Sequence, residues 1–94
     1  MPHFRIAHLL EQGQNIIIVP LTSPFGANSV EQQQEIQAEF QMRANAAGLA
    51  GVVVPVWDSG GGRMSFLAPP NWHPFFRSIT LQWVAANLNR ELFW

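Results

Sequence analysis

The fold is decided by residues 15–57, in which two apolar runs, NIIIVPL (15–21) and GVVVPVW (51–57), flank the segment SVEQQQEIQAEFQMRANAAG (29–48). Both runs are short, continuously apolar and rich in branched residues. Such runs are typical of strands that are covered on both faces or lie at the centre of a sheet. The order strand, helix, strand predicts that the two strands run parallel and are joined by a crossover through the helix.

The segment between the runs carries signals for both ends of a helix. Ser29 and Gln32 have the spacing of a capping box, in which two side chains satisfy backbone donors of the first turn. Gly48 is typical of the left-handed residue that follows a helix. A narrow apolar stripe recurs at helical spacing between these ends, made of Ile36, Phe40, Ala44 and Ala47. We therefore predict a helix over residues 29–47 that buries one face only.

Two further strands are predicted outside this central unit. Residues 4–10 alternate between apolar and polar positions, and Gly13 suits a turn into the first apolar run. Helix-forming residues in the same stretch leave a helix there as the alternative. After the second run comes the loop at residues 58–62, and then Met64 and Phe66 alternate with polar neighbours, which predicts a hairpin.

The carboxy-terminal region carries the pattern of a second helix. Pro74 suits the first turn of a helix after the stiff connector at residues 69–74, and apolar residues recur at helical spacing as far as Phe93. We predict one α+β domain over residues 1–94. It is a two-layer sandwich of order ββαββα, with a four-stranded mixed sheet and two helices on one face of that sheet.

Composition disfavours several classes of function. Charged residues make up 12% of the chain and the net charge is −1, whereas ordinary soluble domains have roughly 25% charged residues. All five cations are dispersed arginines, so we expect no nucleic-acid partner. We expect no membrane span, because no stretch approaches the ~18 apolar residues that one needs. There is no cysteine, which excludes thiol chemistry. The chain begins without a secretory signal pattern, and we expect a cytoplasmic protein.

The predicted last helix has more apolar surface than one sheet can cover. One side packs on the sheet, and the opposite side is the candidate dimer interface, made of Leu81, Val84, Ala85, Leu88 and Leu92. The low net charge and the apolar segment Leu92, Phe93 and Trp94 favour self-association as well. We therefore expect a homodimer, the commonest closed assembly. Packing of this side against the first helix is the alternative.

Candidate binding residues lie in the glycine loop and in the proline-rich connector. The loop contributes Asp58, Gly60, Gly61, Gly62 and Arg63, and the connector contributes Trp72 and His73. The loop joins two strands and does not lead into a helix, so a tight hairpin is the alternative to a phosphate-binding loop. The two connector side chains are predicted either to line a shallow pocket with Asp58 or to cap the core.

We expect a small non-enzymatic module that binds a protein or peptide through the aromatic connector, residues 72–76, or through an exposed strand edge. The alternative is a small-molecule-binding protein or minor enzyme with a pocket near Asp58, Arg63, Trp72 and His73. No nucleophile motif of the G-x-S-x-G type is present. The three histidines lack the spacing of metal ligands, and no metal or cofactor is predicted.

Overall fold

The computed structural model describes residues 3–93. Residues 3–66 contain a hairpin, a 3₁₀ helix, a long helix and a second hairpin. In order these are β1 (His3–Glu11), β2 (Gln14–Pro20), the 3₁₀ helix Ser23–Ala27, α1 (Val30–Ala46), β3 (Val52–Asp58) and β4 (Met64–Phe66). The strand predicted over residues 4–10 is confirmed, as is the hairpin across the glycine loop.

Residues 70–93 form only short elements. They are the 3₁₀ helix Pro70–Trp72, α2 (His73–Arg77), α3 (Leu81–Ala86) and β5 (Arg90–Phe93). Among the residues that the structure describes, no helix is both long enough and apolar enough to cross a membrane.

The strands form one mixed sheet of order β4-β3-β2-β1-β5. The central pair β2 and β3 is parallel, as predicted, and the other pairs are antiparallel. The prediction of four strands is wrong, because β5 adds a fifth beside β1. The β1–β2 turn consists of Gln12 and Gly13, both with positive φ (53° and 75°), which matches the twist of a two-residue hairpin.

Both faces of the sheet are covered, so the prediction of a two-layer sandwich with two helices on one face is wrong. Ile17 and Val19 of β2 pack with Phe40 of α1, on what we call the α1 face. Ile16 and Ile18 pack with side chains of α2 and α3, on the α3 face. A continuously apolar strand places apolar side chains on both of its faces, and each face then needs its own cover.

The central helix forms as predicted. The N-cap Ser29 Oγ accepts from the Gln32 backbone N–H at 3.2 Å, and Gln32 Oε1 accepts from the Ser29 N–H at 3.0 Å. Phe40 and Ala44 are buried against the sheet, and Ala47 is the C-cap. Gly48 follows with a φ of 81°.

The prediction of one long carboxy-terminal helix is wrong, because the chain leaves the helical conformation after α2 and again after α3. After α2, Ser78 turns its hydroxyl back onto the Phe75 carbonyl at 2.6 Å, and a new helix starts where Thr80 Oγ1 accepts from the Trp83 N–H. That helix ends at Ala86, and the chain then extends to pair with β1. A single two-sided helix therefore does not exist.

The five candidate dimer-interface residues do not form one surface. Val84 (0% exposed) is buried in α3, whereas Leu92 (2% exposed) is buried in β5 on the opposite face of the sheet. Leu81 and Leu88 are half-buried against the α3-face core, and Ala85 is exposed. Trp94, part of the same prediction, lies outside the described residues. The homodimer stays a prediction, now without the helical face that was argued for it.

Candidate functional site

The outer edge of β3 is closed, partly by β4 and partly by side chains of α1. Gln41 donates from Nε2 to the Gly51 carbonyl and accepts the Val53 N–H at Oε1, both at 2.9 Å. Gln37 donates to the Val53 carbonyl at 2.9 Å. The later part of β3 pairs with β4. Side-chain amides therefore take the place of a neighbouring strand where β4 does not reach.

The outer edge of β1 is closed in a similar way. β5 covers its first residues, and the Asn89 side chain continues the ladder by accepting the His8 N–H at 2.8 Å and donating to the His8 carbonyl at 2.9 Å. The Asn89 backbone N–H donates to the Ile6 carbonyl at 2.9 Å. The backbone groups of Ile6 and His8 thus point toward β5.

The outer edge of β5 is open over the part of the chain that the structure describes. Ile6 turns its backbone groups toward β5, and so does Phe4, two residues earlier. Arg90 lies opposite Ile6 and Leu92 lies opposite Phe4. Arg90 and Leu92 therefore turn their own backbone groups toward β1. Backbone groups alternate in direction along a strand. Glu91 and Phe93 therefore point their N–H and C=O groups away from the sheet, where no strand pairs with them among residues 3–93.

The open edge carries positive charge. A cavity of about 240 Å³ beside it is lined by Arg5, Leu88, Asn89, Arg90 and Glu91. Neither arginine side chain forms a hydrogen bond or ion pair with residues 3–93. The Glu91 carboxylate contacts His3 Nε2 at 2.8 Å.

A second candidate site lies where the carboxyl ends of the parallel strands β2 and β3 meet, which is the usual place for ligands in sheets with parallel strands. It is a cavity of about 410 Å³ lined by Ser23, Gly26, Ala27, Trp57, Asp58, Ser59 and Gly60. We call it the Asp58 cavity. Trp57 packs on Phe25 of the first 3₁₀ helix, with ring centroids 4.9 Å apart.

The structure brings together only some of the predicted binding residues. Asp58 and Gly60 line the Asp58 cavity, whereas Gly61, Gly62 and Arg63 lie in the exposed loop beyond it. These last three residues of the loop are exposed and lead directly into β4.

The two connector residues lie elsewhere. Trp72 (4% exposed) belongs to the α3-face core, and His73 donates from Nε2 to the Ala68 carbonyl at 3.0 Å and packs edge-on against Phe66. Neither residue lines the Asp58 cavity. The structure therefore gives no common pocket for Asp58, Arg63, Trp72 and His73. Among residues 3–93, no group of three or more side chains is placed to hold a metal ion.

Sequence analysis did not identify the amide caps or the arginines beside β5. Gln37, Gln41 and Asn89 act through residues that are distant in the sequence, and no local pattern marks them. Comparisons with protein-family models, with curated proteins and with solved structures each gave no match to this chain.

Proposed function

We propose that this chain is a non-catalytic interaction module, which binds an extended, acidic segment of a partner protein as an added strand on β5. The observation that carries the proposal is the open outer edge of β5. Glu91 and Phe93 offer unpaired backbone donors and acceptors there, and an extended peptide satisfies such groups by main-chain hydrogen bonding.

The arginines beside the edge favour an acidic partner. Arg5 and Arg90 have no ion-pair partner among residues 3–93, and His3 contacts the one nearby carboxylate, Glu91. Guanidinium groups bind carboxylates in a bidentate geometry. Arg90 lies on the α1 face with Leu92, and Arg5 lies on the opposite face. Acidic side chains on each face of the added strand would therefore meet one arginine each.

The aromatic connector offers less to a partner. Trp72 (4% exposed) and Phe76 (1% exposed) are buried in the α3-face core. A contact through them would require the core to open. The connector would offer a partner only Pro74 and the half-buried His73 and Phe75, so we favour the strand edge.

A second copy of the chain is a less favourable occupant. Suppose that β5 pairs antiparallel with the β5 of a second copy in one continuous sheet. Residues that lie opposite each other point to the same face, so their positions in β5 differ by an even number. The symmetry axis of the pair therefore passes through a residue, which lies opposite its own copy. Centring on Arg90 or on Glu91 places like charges directly opposite, which destabilises the pair. Registers centred on Leu92 or Phe93 avoid this, but they pair at most three described residues of each strand. A cytoplasmic location stays part of the proposal.

The test uses two fluorescein-labelled peptides, one alternating valine with glutamate and one alternating valine with lysine. We expect the acidic peptide to bind at least about tenfold more tightly, a difference of about 1.4 kcal/mol. Glu91→Pro should bind the acidic peptide at least about tenfold more weakly than Glu91→Ala does. Both variants lose the carboxylate, and only the proline variant also loses the outward N–H. Gln substitutions at Arg5 and Arg90 should reduce the preference for the acidic peptide.

Equal binding of both peptides, or equal binding by the two Glu91 variants, would overturn the proposal. Light scattering provides a second check. If the wild-type chain has twice its own mass and Glu91→Pro restores the single-chain mass, the occupant of the edge is a second copy.

A further inference from the structure

We infer that the partner strand carries an aromatic residue directly opposite Phe93, and that its ring stacks on the outer face of the Phe93 ring. This inference rests on the proposed function, because it concerns the strand that pairs with β5. It adds the type of residue that this strand carries at one position. The acidic preference follows from the arginines, whereas the aromatic preference follows from a different pair of side chains, His3 and Phe93.

The first observation is that β5 leaves a large aromatic side chain in water. Phe93 is 61% exposed, whereas its neighbour Leu92 is 2% exposed and packs in the core of the α1 face. Neighbouring residues of a strand point to opposite faces of the sheet, so Phe93 lies on the α3 face, with His3 opposite it in β1. Covering this exposed apolar surface with a partner side chain is favourable.

The second observation is the orientation of the Phe93 ring. The rings of His3 and Phe93 stack with their centroids 4.8 Å apart and their planes 3° from parallel. The Glu91 carboxylate contacts His3 Nε2 at 2.8 Å, which helps to hold the imidazole in place. One face of the phenyl ring therefore points toward β1 and is covered by the imidazole. The other face points away from β1, toward the position that the added strand would occupy.

The third observation is that the spacing of a sheet allows this stack to continue outward. Adjacent strands lie roughly 4.7–4.9 Å apart, which matches the 4.8 Å between the His3 and Phe93 rings. Side chains directly opposite each other on paired strands have Cβ atoms roughly 4.5–5.5 Å apart. An aromatic ring opposite Phe93 would therefore reach the offset-stacked arrangement that aromatic pairs favour. An aliphatic side chain would cover the phenyl ring without this stacking.

The register of β5 sets the position of this aromatic residue relative to an acidic one. Arg90 lies on the α1 face and Phe93 on the α3 face, three positions later in the same strand. In an antiparallel added strand, the residue opposite Phe93 therefore comes three positions before the residue opposite Arg90. The partner segment accordingly has an aromatic residue, two intervening residues and then an acidic residue, with the aromatic and acidic side chains on opposite faces.

The experiment compares two fluorescein-labelled peptides derived from the alternating valine–glutamate sequence, in which one central valine is replaced by phenylalanine or by leucine. Binding to the full chain is measured by fluorescence anisotropy. We expect the phenylalanine peptide to bind at least about threefold more tightly than the leucine peptide. Leucine is the matched control, because it is large and apolar but has no ring to stack.

Phe93→Leu is the decisive variant, because it keeps a large apolar side chain in β5 and removes only the ring. The two peptides should bind this variant with equal affinity, and the lost preference is the coupling that a double-mutant cycle measures. Met42→Leu, at a similarly exposed position (53%) on α1, is the control and should keep the full preference for phenylalanine.

Equal binding of the two peptides to the wild-type chain, with the preference for acidic over basic peptides intact, would overturn this inference and leave the proposed function standing. A preference for phenylalanine that persists in Phe93→Leu would also overturn it, because the aromatic residue would then contact another surface. If no acidic peptide binds, the proposed function and this inference both fail.

Discussion

The part of β3 that β4 does not cover and the outer side of β5 differ in how their backbone groups are satisfied. Along β3, where β4 is too short, Gln37 and Gln41 bond the groups of Gly51 and Val53. Along β5, the outward groups of Glu91 and Phe93 have no such cover in the described chain. Exposed strand edges are sites where other chains pair, and proteins commonly protect them. The open side of β5 is therefore the surface on which we propose that a partner strand pairs.

The comparison also explains the composition of the chain. A primary amide donates and accepts at once, so one glutamine or asparagine can satisfy both the N–H and the C=O side of a strand. Gln41 and Asn89 do this on β3 and on His8 respectively. Part of the amide-rich, weakly charged composition therefore serves the sheet and not only the solvent-exposed surface.

The largest effect on the closed edge is expected at Gly51, immediately before β3. Its φ is 127°, and a Cβ there would lie 2.8 Å from the Asn15 backbone. Gly51→Ala should lower the free energy of unfolding by about 3 kcal/mol or more, since strain and overpacking add. Urea denaturation measures this. Gly48→Ala, with a positive φ but open space, should cost about 1 kcal/mol, and an equal loss in both variants would contradict close packing at Gly51.

A smaller loss is expected when the amide cap is removed. Gln41→Ala leaves the Val53 N–H and the Gly51 carbonyl without their partners in a half-buried position. The expected loss of stability is about 2 kcal/mol, measured by the same denaturation. Gln34→Ala, on the exposed side of the helix, should stay within about 0.5 kcal/mol of the wild type. If the two variants are alike, the cap does not close the edge.

Asn89→Ala tests the cap on β1. It removes both side-chain bonds to His8, which is partly reached by water, so we expect a loss of about 1 kcal/mol. The amide of His8 should also exchange faster in hydrogen-exchange NMR. Asn71→Ala, an exposed asparagine, is the control. Unchanged exchange at His8 would show that this bond does not form in solution.

The smallest effect is expected at the open edge. Glu91→Ala removes an exposed contact to His3 (the two side chains are 47% and 48% exposed), and such contacts stabilise proteins by about 0–1 kcal/mol. We expect a change below about 0.5 kcal/mol in thermal or urea unfolding. A loss comparable to that of Gln41→Ala would mean that Glu91 is part of a covered edge.

The central unit of the fold was predictable because its signals are local. The capping box at Ser29, the glycine after the helix and the branched runs of β2 and β3 act within a few residues of each other. The same runs called for cover on both faces, which implies three layers. The two-layer prediction did not use this requirement.

The carboxy-terminal region was not predictable from periodicity. Apolar residues recur at helical spacing through residues 75–93, but Thr80 caps a new helix and β5 pairs with β1. His3 and Phe93 are paired although they are 90 positions apart, and no local pattern contains that contact. Thr80 three residues before Trp83 was the available signal for the break.

The candidate sites were predictable only in part for the same reason. Asp58 and Gly60 were singled out by a local glycine loop, and both line the cavity. Gly26 lies against Trp57 through tertiary packing, so the sequence around it gives no sign of the contact.

The most direct measurement is amide hydrogen exchange on the free chain, comparing Val53 with Glu91 and Phe93. Exchange reports whether each N–H is bonded and shielded from water. We predict slow exchange at Val53, held by Gln41, and nearly unprotected exchange at Glu91 and Phe93 until the acidic peptide is added. Strong protection of Glu91 and Phe93 in the free chain, or fast exchange at Val53, would contradict the distinction between an open and a closed edge.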